Sequence, residues 1–323
     1  MKFQRWLSLF LAVAVLGVAA VAPAATRKKS TKKKPAARAR VVAPTEPVVP
    51  AIVYPEAQPR AIVDAERAFA AHVAALGTKD GFLAYLAPTS VIFRPGPVNG
   101  PRAMAAAPVS PALLAWMPER VVMSSSNDLA FSMGPWTWHT VANQPASAWG
   151  TFVSLWKRMP DGEWKVVLDA GVSHGRPAAD SVEAFTTKLA EIPRTGKGPL
   201  GRRQALWQTD VAFAKFAGDS GVAGAIARYG ASEHHRLREG VMPVTGRDAA
   251  RDAAAAIDEH GTFMSLAQFI SANGDLGYTY GTFVQTRGAE VDSSYYVHVW
   301  QHGADKPWEL LFDMLLPQPK RAK

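Results

Sequence analysis

Few side chains in this sequence of 323 residues have the type and setting to do chemistry. Asp169 and Asp313 stand near the ends of two apolar segments that each open on a tryptophan, and they are the best-placed carboxylates for proton transfer. Strand alternation, however, puts Trp164, Val166 and Leu168 on a buried face and Asp169 with Lys165 on the other. That favours a structural role, in which the carboxylate accepts backbone N–H groups of a loop or neighbouring strand. His298 shares a face with Tyr296 and Trp300; a lone inward histidine is more often a satisfied core residue than a general base. Glu233, His234 and His235 form a polar cluster, but neighbours on a strand point to opposite faces, so no shared metal is expected. Gly171-Val172-Ser173-His174-Gly175 matches the nucleophile-elbow pattern, yet Arg176-Pro177 follows where a helix has to leave directly. The absence of cysteine excludes a thiolate nucleophile, a disulfide framework and zinc–thiolate chemistry. There is no phosphate-binding glycine loop and no H-E-x-x-H motif. No catalytic residue, metal or cofactor is assigned.

The elements that must position these residues occur twice. Trp149–Gly171 and Tyr295–Met314 each read as two strands joined by a tight turn, with tryptophan on both strands and an aspartate near the end. Trp156 falls on Trp300, Trp164 on Trp308, Asp169 on Asp313 and Phe69 on Phe213, all at a shift of 144. Asp128-Leu129 and Gly134 fall on Asp275-Leu276 and Gly281 at 147, and Pro97-Val98 and Gly100 fall on Pro243-Val244 and Gly246 at 146. Such drift is what loop insertions produce between tandem domains, and copies this long exceed a solenoid unit. In the first copy Ile62, Ala65, Phe69, Val73 and Leu76 form a helical stripe, a second helix begins at Thr78, and Pro101 suits the first turn of a third. Strands are expected at 90–94, 120–124, 129–133, 136–141, 148–159 and 164–170. The second copy repeats the order, with helices at 207–216, 222–229 and 247–257 and strands at 263–270, 276–280, 294–298 and 308–315. Helices first and an antiparallel meander after them make an α+β domain. Trp164 and Trp308 are expected to anchor the two cores, on one face with Val166 and Leu168 and with Leu310 and Phe312.

The ends of the chain are different in kind. Lys2 and Arg5 precede an apolar run from Trp6 to Val21, and Ala22-Pro23-Ala24 offers a signal-peptidase site, so residues 1–24 read as a secretory signal peptide. The protein is then exported, periplasmic or secreted. Residues 25–51 form a proline-rich tail with eight Lys or Arg between Arg27 and Arg40, expected to be disordered. The signal and the tail account for the whole net charge of +9, so the folded part is neutral and no nucleic-acid partner is expected. The tail suits an anionic membrane or a cell-wall polymer, or serves as a solvated spacer. The remaining boundaries are 52–176 for the first domain, 177–201 for a connecting helix (Ala178–Ala190) and linker, 202–317 for the second domain, and a short basic tail at 318–323.

The first copy, with F-R-P-G-P-V-N-G between its second and third helices, D-L-A-F-S-M-G-P-W in the meander and W-K-R-M-P-D-G-E-W-K-V-V-L-D-A-G at its end, resembles the nuclear transport factor 2-like superfamily, and most closely its exported bacterial members of undefined function. The second copy departs, with H-R-L-R-E-G-V-M-P-V-T-G and G-T-F at the matching places. The resemblance implies two tandem cone-shaped domains, each with N-terminal helices packed in a curved antiparallel sheet and a pocket at the open end. Ketosteroid isomerase, scytalone dehydratase, SnoaL-like polyketide cyclases and many non-catalytic binding modules share that fold, so the fold leaves function open. Residues that could line such pockets are Tyr85, Arg94, Trp116, Trp136, Trp138 and Trp156 in the first copy, and Tyr229, Tyr280, Tyr296, His298 and Trp300 in the second; a packed aromatic core gives the same pattern. Two functions follow. One is a non-catalytic module binding a small apolar ligand or a protein partner, with a homodimer through a sheet face as one form of the latter. The other is an acid–base enzyme of isomerase, dehydratase or hydrolase type with its site in one cone.

Overall fold

The computed structural model of the chain describes residues 58–178, 187–192, 201–287, 290–303 and 306–319. The expected signal peptide and basic tail, most of the expected linker and the last four residues lie outside them. Residues 58–192 begin with α1 (Arg60–Leu76) and α2 (Thr78–Tyr85), followed by β1 (Leu86–Phe93), β2 (Pro97–Asn99), α3 (Gly100–Ala106), β3 (Leu113–Trp116), β4 (Arg120–Met123), β5 (Leu129–His139), β6 (Ala148–Arg158), β7 (Trp164–His174) and β8 (Lys188–Glu191). The second half holds α4 (Arg202–Tyr229), β9 (Gly230–Arg238), β10 (Val244–Thr245), α5 (Arg247–Ala256), β11 (Thr262–Ile270), β12 (Leu276–Arg287), β13 (Glu290–His302) and β14 (Trp308–Pro317). The strand orders correspond: β2-β1-β7-β6-β5-β4-β8, with β3 beside β5, and β10-β9-β14-β13-β12-β11. This is an α+β chain of two cones, the helices of each lying on one face of its sheet.

The helices follow from local chemistry. Ile62, Glu66, Phe69 and Val73 are the buried stripe of α1. Gly77 stops it at φ 85°, a conformation in which glycine alone is unstrained, and α4 breaks at its counterpart Gly221 with φ 79°. Asn99 caps α3 by accepting the Arg102 N–H at 3.0 Å, with Pro101 in the first turn.

Several expectations need correction. The sheets are mixed, because β1 runs parallel to β7 and β9 parallel to β14. Residues 188–190, expected to end the connecting helix Ala178–Ala190, instead belong to β8, which pairs in parallel with β4, whose outer edge would otherwise be bare. The alternation that turned Asp169 away from the helices is reset by a bulge. Leu155 pairs with Leu168 and Trp156 with Val166, leaving Val167 as the extra residue. Val166 therefore packs under the helices with Trp156, Leu168 packs on the opposite face of the sheet, and Asp169 returns to the helix side. Leu311 is the extra residue in the second half, so Leu310 and Phe312 also lie on opposite faces.

The faces turned away from the helices pack against each other. One core joins Val153, Leu155 and Leu168 of the first sheet to Val297, Val299 and Met314 of the second. Phe131 meets Phe312 with ring centroids 5.3 Å apart, and Phe93 meets Tyr280 and Tyr295 at 6.1 Å each. The contact is reciprocal. Asp128 accepts the Ala272 N–H at 3.1 Å, and Asp275 accepts the Ser125 N–H at 3.1 Å. Both pairs are related by the repeat, so the halves meet as the two sides of an isologous interface. Gly134 and Gly281 have a shared reason too: a Cβ there would run into the carbonyl of Met117 or Met264, themselves counterparts.

Candidate functional site

Each cone is centred on an acid contributed by its first helix. Glu66 sits on the apolar stripe of α1, fully buried. Its Oε1 accepts Trp116 Nε1 at 2.9 Å, and its Oε2 accepts Ser132 Oγ at 2.7 Å and Trp156 Nε1 at 2.6 Å. Burial outweighs these donors and, with the nearby charge of Asp169, pushes the Glu66 carboxyl up to about 7. Asp210 is its counterpart on α4. It accepts Thr279 Oγ1 at 2.8 Å and Tyr296 OH at 3.2 Å, and His298 Nδ1 lies 3.5 Å away. The tryptophans correspond as well: Trp156 Nε1 reaches Ser132 Oγ at 3.2 Å, and Trp300 Nε1 donates to Thr279 Oγ1 at 3.3 Å.

A second acid faces each cone from the last strand. Asp169 accepts Ser154 Oγ at 3.0 Å, and burial raises its carboxyl to about 6 against the pull of Arg94. Asp313 has different surroundings. Burial alone would raise it, but Arg238, His298 and Arg236 together hold it well below the usual carboxylate range. Arg238 Nη2 is 2.6 Å from its Oδ2, and His298 Nε2 lies 3.6 Å from its Oδ1. Glu259, which follows α5, closes the group with oxygens 3.0 Å from both Arg236 Nη1 and Arg238 Nε. His298, wedged between Asp210 and Asp313, titrates above its ordinary value although burial opposes this.

The halves differ in access. Trp116, Trp164 and Asp169 are half-buried, whereas their counterparts Phe263, Trp308 and Asp313 are 6%, 3% and 0% exposed. The second cone is filled by its own ionic network; the first presents Arg94, the carboxyls of Glu66 and Asp169, and the hydroxyls of Ser132 and Ser154 among aromatic rings.

Of the residues singled out in the sequence, Tyr85, Arg94, Trp116 and Trp156 do gather around the first cone. Tyr85 stacks on Phe69 with centroids 4.9 Å apart and meets Trp156 at 6.3 Å. Trp136 and Trp138 are half-buried farther along the Ser132 face of β5, Trp136 lying against Gly150 and Gly171. In the second half Tyr296, His298 and Trp300 are sealed in the core, and Tyr229 is half-buried beside Phe213 and Arg228. Tyr280 is a correction. It lies on the other face of β12 from Thr279 and packs against Phe93 of the first half, so it lines no cone. Glu66, Asp210 and Glu259 were not found by sequence reasoning. An acid three residues before Phe69 and before Phe213, on an otherwise apolar stripe, was the available signal.

Each histidine of the 233–235 cluster pairs through Nδ1, and its buried Nε2 has no hydrogen-bond partner among the described residues. His234 Nδ1 pairs with the Leu310 carbonyl at 2.9 Å and His235 Nδ1 with Thr245 Oγ1 at 3.1 Å, and burial lowers them to about 4 and about 3. Among the described residues no group of His, Asp and Glu is arranged to hold a metal ion. Ser173 lies within β7 and no helix leaves directly after it, so the elbow pattern has no elbow.

No family profile matches the chain, and no curated protein does. Solved structures similar to it include a protein of unknown function with a cystatin-like fold from Nostoc punctiforme, 14% identical with a TM-score of 0.30, over 36% of this chain and 91% of that one. A ketosteroid isomerase-like protein from Erwinia carotovora atroseptica is 10% identical with a TM-score of 0.33, over 36% of this chain and 98% of that one. A nuclear transport factor 2-like protein of unknown function from Pseudomonas putida is 13% identical with a TM-score of 0.32, over 39% of this chain and 93% of that one. Nuclear transport factor 2-like and ketosteroid isomerase-like proteins are thus among those the chain is similar to, each over a stretch about the length of one half.

Proposed function

We propose that this is an exported protein whose first cone binds a small, mainly apolar molecule, while the second cone is a closed structural copy. The observation that carries the reading is the difference in access between matched positions. Trp116, Trp164 and Asp169 stay half-buried, and the residues at the same places in the second half are buried. Aromatic walls with a few convergent polar groups suit such a ligand. Export rests on the leader-like residues 1–24, and the basic tail is proposed to meet an anionic membrane or cell-wall polymer.

A second reading, acid–base chemistry on the bound molecule, is favoured by the setting of Asp169, a half-accessible carboxyl flanked by Ser154 and Arg94. A probe titration tests the first-cone site, and proton exchange separates the two readings. The neutral fluorescent probe N-phenyl-1-naphthylamine is expected to bind the full chain at one site. Tyr85→Ala should weaken it several-fold, for an aromatic contact of roughly 1 kcal/mol, while Tyr229→Ala leaves it unchanged. No saturable binding, or a larger loss from Tyr229→Ala, would refute the first-cone site. Asp169→Asn should leave probe binding intact under either reading; only the acid–base reading requires it to abolish proton exchange on a bound ketone.

A further inference from the structure

Arg94 and Arg238 are counterparts, and each turns Nη1 back onto the carbonyl of the preceding residue, Phe93 or Leu237, at 2.9 Å. Beyond that their surroundings part. On Arg238 the Glu259 carboxylate lies across the fork, Oε1 to Nε at 3.0 Å and Oε2 to Nη2 at 3.1 Å, beside the Asp313 contact. In the first half Asp169 stands for Asp313, but Glu259 falls on Ala112, at the same shift of 147 that relates Trp116 to Phe263. Ala112 brings no charge, and among the described residues no direct ion pair to Arg94 closes; Asp169 acts on it through its field. The half-buried guanidinium therefore keeps its Nε–Nη2 edge at the place where the other half holds a carboxylate.

We infer that the ligand of the first cone is a small apolar molecule ending in a carboxylate, which lies on the Arg94 fork as the Glu259 side chain lies on Arg238. The inference rests on the reading of the first cone as a ligand pocket, and it adds the ligand's chemical class. A planar guanidinium pairs with a carboxylate through two parallel charge-assisted hydrogen bonds, which discriminate strongly against a neutral end group. Ile92 occupies the place of Arg236, so one guanidinium serves both the ligand and Asp169. The carboxyls that face the site oppose a ligand anion at pH 6 less than ordinary carboxylates would, because burial raises both. Glu66 is raised to about 7 and Asp169 to about 6, and burial raises Tyr85 so that it stays neutral.

The test is calorimetric titration of the full chain at pH 6 with 2-naphthoate and with 2-naphthamide, a pair alike in shape and different in charge. The wild type is expected to bind the naphthoate about tenfold or more tightly than the amide. Arg94→Gln should bring the naphthoate down to the level of the amide and leave the amide unchanged. Equal affinities in the wild type overturn the inference without recourse to any variant, as does a preference that survives Arg94→Gln. Binding of neither compound removes the pocket reading and this inference with it, whereas amide binding without preference removes only the inference.

Discussion

Glu66 shows how one residue can be both costly and well placed. Its carboxyl has three donors, yet removal from water is the larger effect, and the group stays protonated to about pH 7 instead of 4.5. The folded state then binds more protons than the unfolded state between those values, so this group's contribution to stability falls as pH rises from about 4.5 to about 7. The decline is on the order of 3 kcal/mol. Asp169, raised to about 6, acts in the same sense, whereas His234 and His235 act in the opposite one, since burial lowers them, and Asp313 titrates below the window. The difference between wild type and Glu66→Gln therefore reports Glu66 together with its interaction with Asp169. The glutamine loses an acceptor, which costs about 1–3 kcal/mol, but its stability should decline less between pH 4.5 and 7. Parallel denaturation curves against pH for the two proteins would show that Glu66 is ionised throughout.

At the scale of elements, the bulges in β7 and β14 decide which acids can face a cone. One extra residue moves Leu168 and Phe312 to the sheet–sheet core and brings Asp169 and Asp313 round to the helices. The glycine pair of β5 and β12 belongs to the same level. A methyl group at Gly134 or Gly281 would meet a backbone carbonyl, which cannot rotate away as a flexible side chain can. Gly134→Ala and Gly281→Ala are each expected to destabilise the protein by about 1–3 kcal/mol. Chemical denaturation checks this, and a neutral substitution at either position would show that the neighbouring strand yields.

At the scale of the molecule, the two halves behave as a dimer written in one chain. The sheet faces that a homodimer would use are covered by each other, through the shared core and the reciprocal Asp128 and Asp275 contacts. Two independently melting domains are therefore not expected. Calorimetry should show one transition with equal calorimetric and van't Hoff enthalpies. Trp308→Ala, which removes a nearly buried indole, should lower that single transition by about 3–5 kcal/mol. Two resolved transitions, with only one moved by Trp308→Ala, would mean that the shared core does not couple the halves. Trp164, being half-buried, should cost less than Trp308 when truncated.

The sequence by itself determined the repetition, the helices-then-meander order and the last hairpin of each half, because hydrophobic periodicity, turn residues and recurring offsets are local properties, whereas the parallel pairs β1–β7, β9–β14 and β4–β8 join segments distant in sequence. Asp128 and Asp275 were visible as repeat markers, but their role as a clasp between the halves was not. Strand alternation could not reveal which face Asp169 takes, since it assumes an unbroken register and a single inserted residue inverts it. Nor could it separate Tyr280 from Tyr296, because both faces of the second sheet are apolar, one toward its helices and the other toward the first half. The contrast between an accessible Arg94 and a saturated Arg238 was decided only by tertiary structure. It depends on whether an acid distant in sequence, Glu259, reaches the guanidinium, and its counterpart Ala112 has no group with which to do so.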